Sequence, residues 1–167
     1  QRCTRCVMDT TDSKITFDEN GVCDHCRNFD KNIAPYWKPS ENRFDELEEL
    51  SKKIREAGRN NEYDCILGLS GGADSSYLAY IAKEVMHLRP LIYVVDTGWN
   101  LNVAVENIEK IVKGLDLDMY TDVINWKEMA DLQLSFFKAG ISSQDFPQDH
   151  AIFASLYNYA VKHNIKY

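Results

Sequence analysis

Between Ile66 and Ser76 a run of strand-forming apolar residues is delivered into Ser70-Gly71-Gly72 and emerges at once as a helical pattern. This limits the fold more than any other feature of the chain. Two adjacent glycines let the backbone take unusual φ/ψ values and come close to a ligand. The unpaired N–H groups and partial positive charge of the following helix favour an anion at the same point. Ser70 and Ser75 add hydroxyls, and Asp74 is placed to orient the loop or to hold Mg²⁺ on bound phosphates. The loop lacks the Gly-Lys-Ser/Thr ending that brings a lysine to β/γ-phosphates, so a different cleavage chemistry is implied. A plain tight turn between strand and helix is the bland alternative.

The rest of the chain repeats the alternation. Tyr63–Leu69, Leu91–Val95 and Met119–Ile124 read as strands. Helical patterns run from Ser75 to about Met86, through Val103, Ile108, Ile111, Val112 and Leu115, from Asn125 to Phe137, and from about Asp149 to His163. Asn125 with Glu128 resembles a capping box. Apolar runs alternating with helices predict an α/β fold, a parallel sheet with helices on both faces and a ligand at the carboxyl ends of its strands. Upstream, Phe44, Leu47, Leu50 and Ile54 recur among charges from Glu41 to Ala57, predicting one amphipathic helix. Pro35-Tyr36-Trp37-Lys38-Pro39 reads as an extended linker.

The first 26 residues hold Cys3-x-x-Cys6 and, sixteen residues on, Cys23-x-x-Cys26. This is the spacing of a four-thiolate zinc site, in which metal bonds hold together a segment too small for a core of its own. Four protein ligands leave no open position, so the zinc is expected to be structural. An iron–sulfur cluster or a redox pair has the same spacing. His25, between two ligands, reads as a surface residue, and Cys65 as a small buried hydrophobe. The expected division is a zinc-binding module over 1–34, a linker and amphipathic helix over 35–62, and a nucleotide-binding domain over 63–167. At Ile165-Lys166-Tyr167 a further strand is expected to begin, so the domain reads as truncated there, and Gln1 reads as lying within a longer chain. The net charge of −7 argues against a nucleic-acid partner, and no apolar stretch approaches a membrane span. A cytoplasmic protein is expected.

Ser70-Gly71-Gly72-Ala73-Asp74-Ser75 after a strand resembles the PP-loop of the ATP pyrophosphatases, an adenine nucleotide alpha hydrolase-like fold. That resemblance implies cleavage of ATP between its α- and β-phosphates, with Leu69, Ser70, Gly71, Gly72, Asp74, Ser75 and Ser76 on the nucleotide. Val94-Val95-Asp96-Thr97-Gly98-Trp99 resembles the second adenosine-contacting segment of the class, which adds Asp96 and Gly98; without the resemblance it is a strand ending in a turn. With the opening Cys3-Thr4-Arg5-Cys6-Val7-Met8-Asp9-Thr10-Thr11 and Ile15-Thr16-Phe17-Asp18-Glu19-Asn20-Gly21-Val22-Cys23, the whole chain resembles the N-acetyl sugar amidotransferases of bacterial surface-polysaccharide (lipopolysaccharide) biosynthesis. These imply ATP, Mg²⁺ and Zn²⁺, a UDP-linked N-acetyl sugar, and ammonia from a glutaminase partner with its synthase-like subunit. Ser70 and Asp74 are the expected catalytic residues of the loop. Phe146-Pro147-Gln148-Asp149-His150-Ala151-Ile152-Phe153 also resembles the family and offers Asp149 and His150 toward sugar or ammonia; Asp149 as a helix cap is the plain alternative. A PP-loop tRNA thiolation enzyme is the main rival, and a zinc-ribbon adaptor on a decayed nucleotide fold the other.

Overall fold

The computed structural model describes residues 1–39 and 43–167, which form two compact units, Gln1–Arg43 and Phe44–Tyr167.

In the first unit the chain is held by turns and two isolated antiparallel bridges, Arg2 with Asp9 and Phe17 with Cys23. One helix, α1 (Asp24–Asn32), begins directly after Cys23. It has no buried residue and is short and largely polar, so no run of apolar residues announced it. The unit buries Cys3 and Cys23 in place of a core. The expected extended linker is corrected here: Ile33–Tyr36 continue in turns, with the N–H groups of Tyr36 and Trp37 donating to the Ile33 carbonyl. The Ile33 and Ala34 N–H groups both donate to the Phe29 carbonyl at the end of α1, and Trp37 packs edge-on to Phe29 with ring centroids 5.6 Å apart.

The second unit starts with α2 (Phe44–Gly58); Glu41, where that helix was expected to start, lies outside the described residues. Its inward stripe also differs from the expected one. Leu47, Ser51, Ile54 and Gly58 face the core, while Phe44 and Leu50 are exposed. Ser51 fits because its hydroxyl donates to the Leu47 carbonyl at 2.7 Å and so is satisfied within the helix.

Three parallel strands follow in the order β1 (Cys65–Gly68), β2 (Pro90–Asp96), β3 (Asp118–Val123), with Leu67 opposite Ile92 and Val94 opposite Thr121. Crossovers are α3 (Ala73–Tyr80), prolonged by a π-helical turn over Ile81–Val85, and α4 (Asn102–Gly114). α5 (Trp126–Lys138) and α6 (Phe146–Lys162) complete the unit. Residues pointing to opposite faces of β1 and β2 feed two cores. Cys65, Leu67, Ile92 and Val94 pack with Ile54, Ala79, Ala82, Met86 and Ile108 on one face; Ile66 and Leu91 pack with Tyr159, Ala160 and Ile165 on the other. The fold is therefore α/β, a parallel sheet flanked by helices on both faces. At the outer edge of β1 the Ile66 N–H donates to the Tyr167 carbonyl at 2.9 Å.

Asp64 and Arg89 lock the amino ends of β1 and β2. Asp64 is buried and receives Arg89 through Nη2 at 2.6 Å, Nε at 3.2 Å and its backbone N–H at 2.9 Å. The same guanidinium donates to the carbonyls of Asn61 and Gly58, both at 3.0 Å, so one side chain also closes the end of α2. A bidentate, hydrogen-bonded pair with a buried carboxylate is the kind of ion pair whose disruption matters. Asp64→Ala is expected to lower the unfolding free energy by about 2–3 kcal/mol, less than for a fully buried pair because Arg89 is half exposed. Arg59→Ala, which breaks only an exposed pair with Glu56, should change it by less than about 0.5 kcal/mol. Urea unfolding followed by circular dichroism measures both.

Candidate functional site

β1 and β2 end side by side at one edge of the sheet, and both glycine-bearing turns lie there. After Gly68 the chain makes one more bond, Leu69 N–H to the Tyr93 carbonyl at 3.2 Å, and then leaves the sheet. Gly71 takes φ +76°, which only glycine adopts freely. It also lies against the first turn of α4, where any Cβ would collide with the Ala104 carbonyl oxygen. Asn107 Nδ2 donates to the Gly71 carbonyl at 3.2 Å, tying the loop to α4.

Gly72 stands at the start of α3 with no side-chain cap, so the helix's first N–H groups remain open to a ligand. The loop's hydroxyls are arranged around them. Ser75 Oγ lies 3.1 Å from Ser70 Oγ and accepts from the Ser70 N–H at 3.2 Å, and Ser76 Oγ donates to the Gly72 carbonyl at 2.6 Å. Ser70, Gly72 and Asp74 are exposed at this edge, Asp74 in the first turn of α3. The arrangement gathers open helix N–H groups, three hydroxyls and the first-turn Asp74 at one edge of the sheet.

The Asp96-Thr97-Gly98 turn is built as tightly. Asp96 Oδ1 accepts from the Gly98 N–H at 2.8 Å and from Asn100 Nδ2 at 3.3 Å, so this carboxylate shapes its own loop. Gly98, at φ +88°, has the Trp126 indole where a Cβ would stand. Trp99 crosses Trp126 edge to face at 5.2 Å and donates through Nε1 to Gln133 Oε1 at 2.7 Å. Asn125 caps α5 by accepting from the Lys127 N–H at 3.0 Å, and its Nδ2 reaches the Glu128 carboxylate at 3.0 Å, a side-chain version of the expected box.

Between the phosphate loop and α6 lies a cavity of about 410 Å³, lined by Gly68, Leu69 and Ser70, by Tyr93, Val94 and Val95, and by Gln148, Ile152, Phe153 and Leu156 of α6. Its apolar walls and phosphate-loop mouth suit a nucleoside. Tyr93 is held at the wall by Ser155 Oγ at 2.8 Å, and Ser155 in turn donates to Asp122. Burial raises the Tyr93 phenol further above its ordinary range, so it stays neutral.

The α6 residues of the site differ from those singled out in the sequence. α6 begins at Phe146, with Pro147 in its first turn, so Asp149 is a first-turn residue and not the N-cap. Asp149 and His150 are exposed, His150 stacks on Phe146, and neither lines the cavity. Gln148, Ile152 and Leu156, four residues apart, form the facing stripe. Gln148 and the Trp99–Trp126–Gln133 group carried no spacing signal, since they converge only through packing. Cys65 is buried in β1, where burial and the Asp64 carboxylate push its thiol up to about 11.

In the first unit the four sulfurs of Cys3, Cys6, Cys23 and Cys26 lie within 4.8 Å of one another. Cys3 and Cys26 are 4.0 Å apart, and Cys6 and Cys23 3.6 Å. A tetrahedral ion with metal–sulfur bonds of about 2.3 Å needs sulfurs about 3.8 Å apart, which these separations match. Iron–sulfur clusters place iron and sulfide between the thiolates and need a wider cage. Burial raises the Cys3 thiol, but N–H donors from Cys23, Arg5 and Cys6 outweigh it and bring it down to about 6. Cys26 is pushed up to about 12 by its contact with Cys6 and by burial. His25 is exposed and bonded to Asp12 at 2.9 Å, outside the sulfur cage.

A metal here must displace thiol protons, so its affinity should rise with pH. Zinc titration is expected to give one equivalent per chain, with affinity falling at least about tenfold for each unit the pH is lowered below 8. Cys6→Ser/Cys26→Ser should abolish the equivalent; competition with a chromophoric chelator measures both.

The sequence profile of the NAD synthase family matches residues 45–146. An uncharacterized protein of Methanocaldococcus jannaschii is 30% identical over 129 residues, covering 73% of this chain and 44% of its own. The chain thus spans less than half the length of that curated relative. The glutamine-dependent NAD+ synthetase of Acinetobacter baumannii, solved with ADP, superposes with a TM-score of 0.52 at 19% identity, over 76% of this chain and 25% of that one. NMN synthetase of Francisella tularensis gives 0.51 at 20% identity, over 74% and 52%. These two likenesses are of fold.

Proposed function

The chain belongs to the NAD synthase family, within the PP-loop ATP pyrophosphatases, and from that premise we propose that it is the ATP-binding part of an AMP-forming N-acetyl sugar amidotransferase. The observation that carries the ATP reading is the loop itself: a left-handed Gly71 seated on α4, hydroxyls of Ser70, Ser75 and Ser76 around an uncapped helix start, and a nucleoside-sized cavity beside it. Leu69 to Ser76 hold the pyrophosphate end of ATP, and the cavity under Tyr93 and Phe153 holds the nucleoside. Asp96 and Gly98 shape the neighbouring rim.

In the proposed reaction the oxygen of the sugar's N-acetyl group attacks the α-phosphorus, the α–β phosphoanhydride bond breaks, and pyrophosphate departs. Ammonia then adds to the activated carbon, AMP leaves with the former amide oxygen, and loss of a proton gives the acetamidino group. An amide oxygen is a poor leaving group until it is attached to phosphorus, which is why ATP is needed. Mg²⁺, held with help from Asp74, supplies charge neutralisation on the phosphates. Ser70 and the loop N–H groups stabilise the departing pyrophosphate by fixed donors. Asp149 and His150, exposed on the first turn of α6, are the proposed residues toward sugar or ammonia. Zn²⁺ at the four cysteines is structural, because all four positions are protein sulfur. The UDP-linked sugar, the glutaminase and synthase-like partners, the cytoplasmic setting and a place in surface-polysaccharide synthesis belong to the same proposal. Among the described residues no helix is long and apolar enough to cross a membrane.

The full-length protein, with ATP, Mg²⁺, ammonium and a panel of UDP-linked N-acetyl sugars, should release pyrophosphate only when the right sugar is present. The product should be one mass unit lighter than that sugar. Ser70→Ala/Asp74→Ala should lose the release by at least about a hundredfold, and Gly71→Ala should lose ATP binding because its backbone cannot seat on α4. Orthophosphate as product, or pyrophosphate release indifferent to sugar and stimulated by tRNA, would sink the reading and favour the thiolation enzyme.

A further inference from the structure

The peptide joining Gly71 to Gly72 is the only one in the chain with glycine on both sides. Its two polar groups are engaged in opposite directions. The Gly71 carbonyl accepts from Asn107 Nδ2 of α4 at 3.2 Å, and the Gly72 N–H donates to Ser70 Oγ at 3.4 Å. In a trans peptide the C=O and N–H point opposite ways, so whatever holds one aims the other. We propose that Asn107 is a positioning residue of the phosphate loop: by holding the Gly71 carbonyl against α4, it keeps the Gly72 N–H turned toward Ser70 and the cavity that Ser70 lines, as a donor to an anion.

The local backbone does not fix this orientation by itself. Turning the peptide plane over between its two Cα atoms leaves the path of the chain unchanged and exchanges the places of C=O and N–H. The exchange carries Gly72 from φ −79° to a positive φ, which is closed to most residues and open to glycine. Gly71, already at φ +76°, has no Cβ to oppose the matching change in its ψ. In the exchanged state a carbonyl oxygen would face the anion in place of a donor. A loop that stabilises negative charge with fixed donors is useful only if that state is suppressed.

The surroundings of Asn107 suit such a lock. Ala104 and Asn107 lie three residues apart on one face of α4, and Gly71 meets both, the Ala104 backbone where a Cβ would stand and the Asn107 amide at its carbonyl. Asn107 is half-buried, so its side chain is not a freely turning surface group. A carbonyl only accepts, so the hold needs a donor at this reach, which an asparagine supplies and an aspartate or a leucine does not.

The proposed role rests on the reading of the loop as the site of the ATP phosphates, and two readouts on the full chain separate the two. The first needs no ligand. By NMR the Gly72 amide proton should show an NOE to the Ser70 β-protons. In Asn107→Leu a second Gly72 resonance should appear, with an NOE to the methyl groups at position 107. Asn107→Asp keeps the size of the side chain and loses the donor, so it should also double the Gly72 resonance, which guards against a folding defect peculiar to the leucine variant. The second readout is ADP affinity with Mg²⁺, by calorimetry. Asn107→Leu should weaken ADP by at least about tenfold. In a Gly72→Ala background that penalty should shrink several-fold, because alanine accepts the observed φ, resists the exchanged one and sets its Cβ no closer than 3.4 Å to Ser70 Oγ. General damage to α4 would weaken ADP equally in both backgrounds. A single Gly72 resonance in both Asn107 variants, or an equal penalty in both backgrounds, overturns the lock. Doubled resonances in a protein that does not bind ADP uphold the lock and reject the ATP reading of the loop. ADP binding indifferent to Asn107→Leu does the reverse.

Discussion

The seating of Gly71 on the first turn of α4 is the contact on which the arrangement of the site depends. It joins the loop that follows β1 to the helix that follows β2, at a distance no side chain permits. The parallel register of β1 and β2 brings the two loops to one edge, and the Asn107 amide on the Gly71 carbonyl holds them there. With the loop fixed, the uncapped start of α3 is held beside the Ser70 and Ser75 hydroxyls, with Asp74 in its first turn. Preorganisation of this kind lets fixed dipoles act on developing charge without rearranging first.

The two units are stabilised by different means. The second has a sheet with packed helices on both faces and an ion pair, Asp64 with Arg89, that closes the strand ends opposite the site. The first buries mainly its cysteines, and α1 contributes no buried residue. Short segments without a core need a cross-link of another kind, and four thiols gathered within 4.8 Å are suited to a metal ion.

Near the phosphate loop, a recess is lined by residues with no shared spacing. Trp99 comes from the β2–α4 loop, Gln133 and Phe137 from α5, and Gln144, Asp145 and Gln148 from the α6 junction. The tryptophan pair supports both this group and the Asp96 turn, since the Trp126 indole fills the space over Gly98. Gln148 lines both this recess and the cavity beside the phosphate loop.

What the sequence determined by itself was whatever depends on local periodicity or on a short run of special residues. The alternation of apolar runs and helical stretches gave the parallel α/β fold, Ser70-Gly71-Gly72-Ala73-Asp74-Ser75 after a strand marked the glycine turn that opens α3, and two Cys-x-x-Cys pairs marked the sulfur cage, because each of these is specified within a few residues. Helix α1 escaped notice because it buries no apolar face, and Ser51 replaced Leu50 on the inner stripe of α2 because a hydroxyl satisfied inside its own helix can be buried. The choice of Gln148 over Asp149 and His150 at the cavities depended on where Pro147 lets α6 begin and on how that helix is rotated against Tyr93, which its own Ser155 meets. Only the tertiary structure decides such matters, since the rotation of a helix on a sheet is set by packing with residues distant in the chain, and no local pattern encodes it.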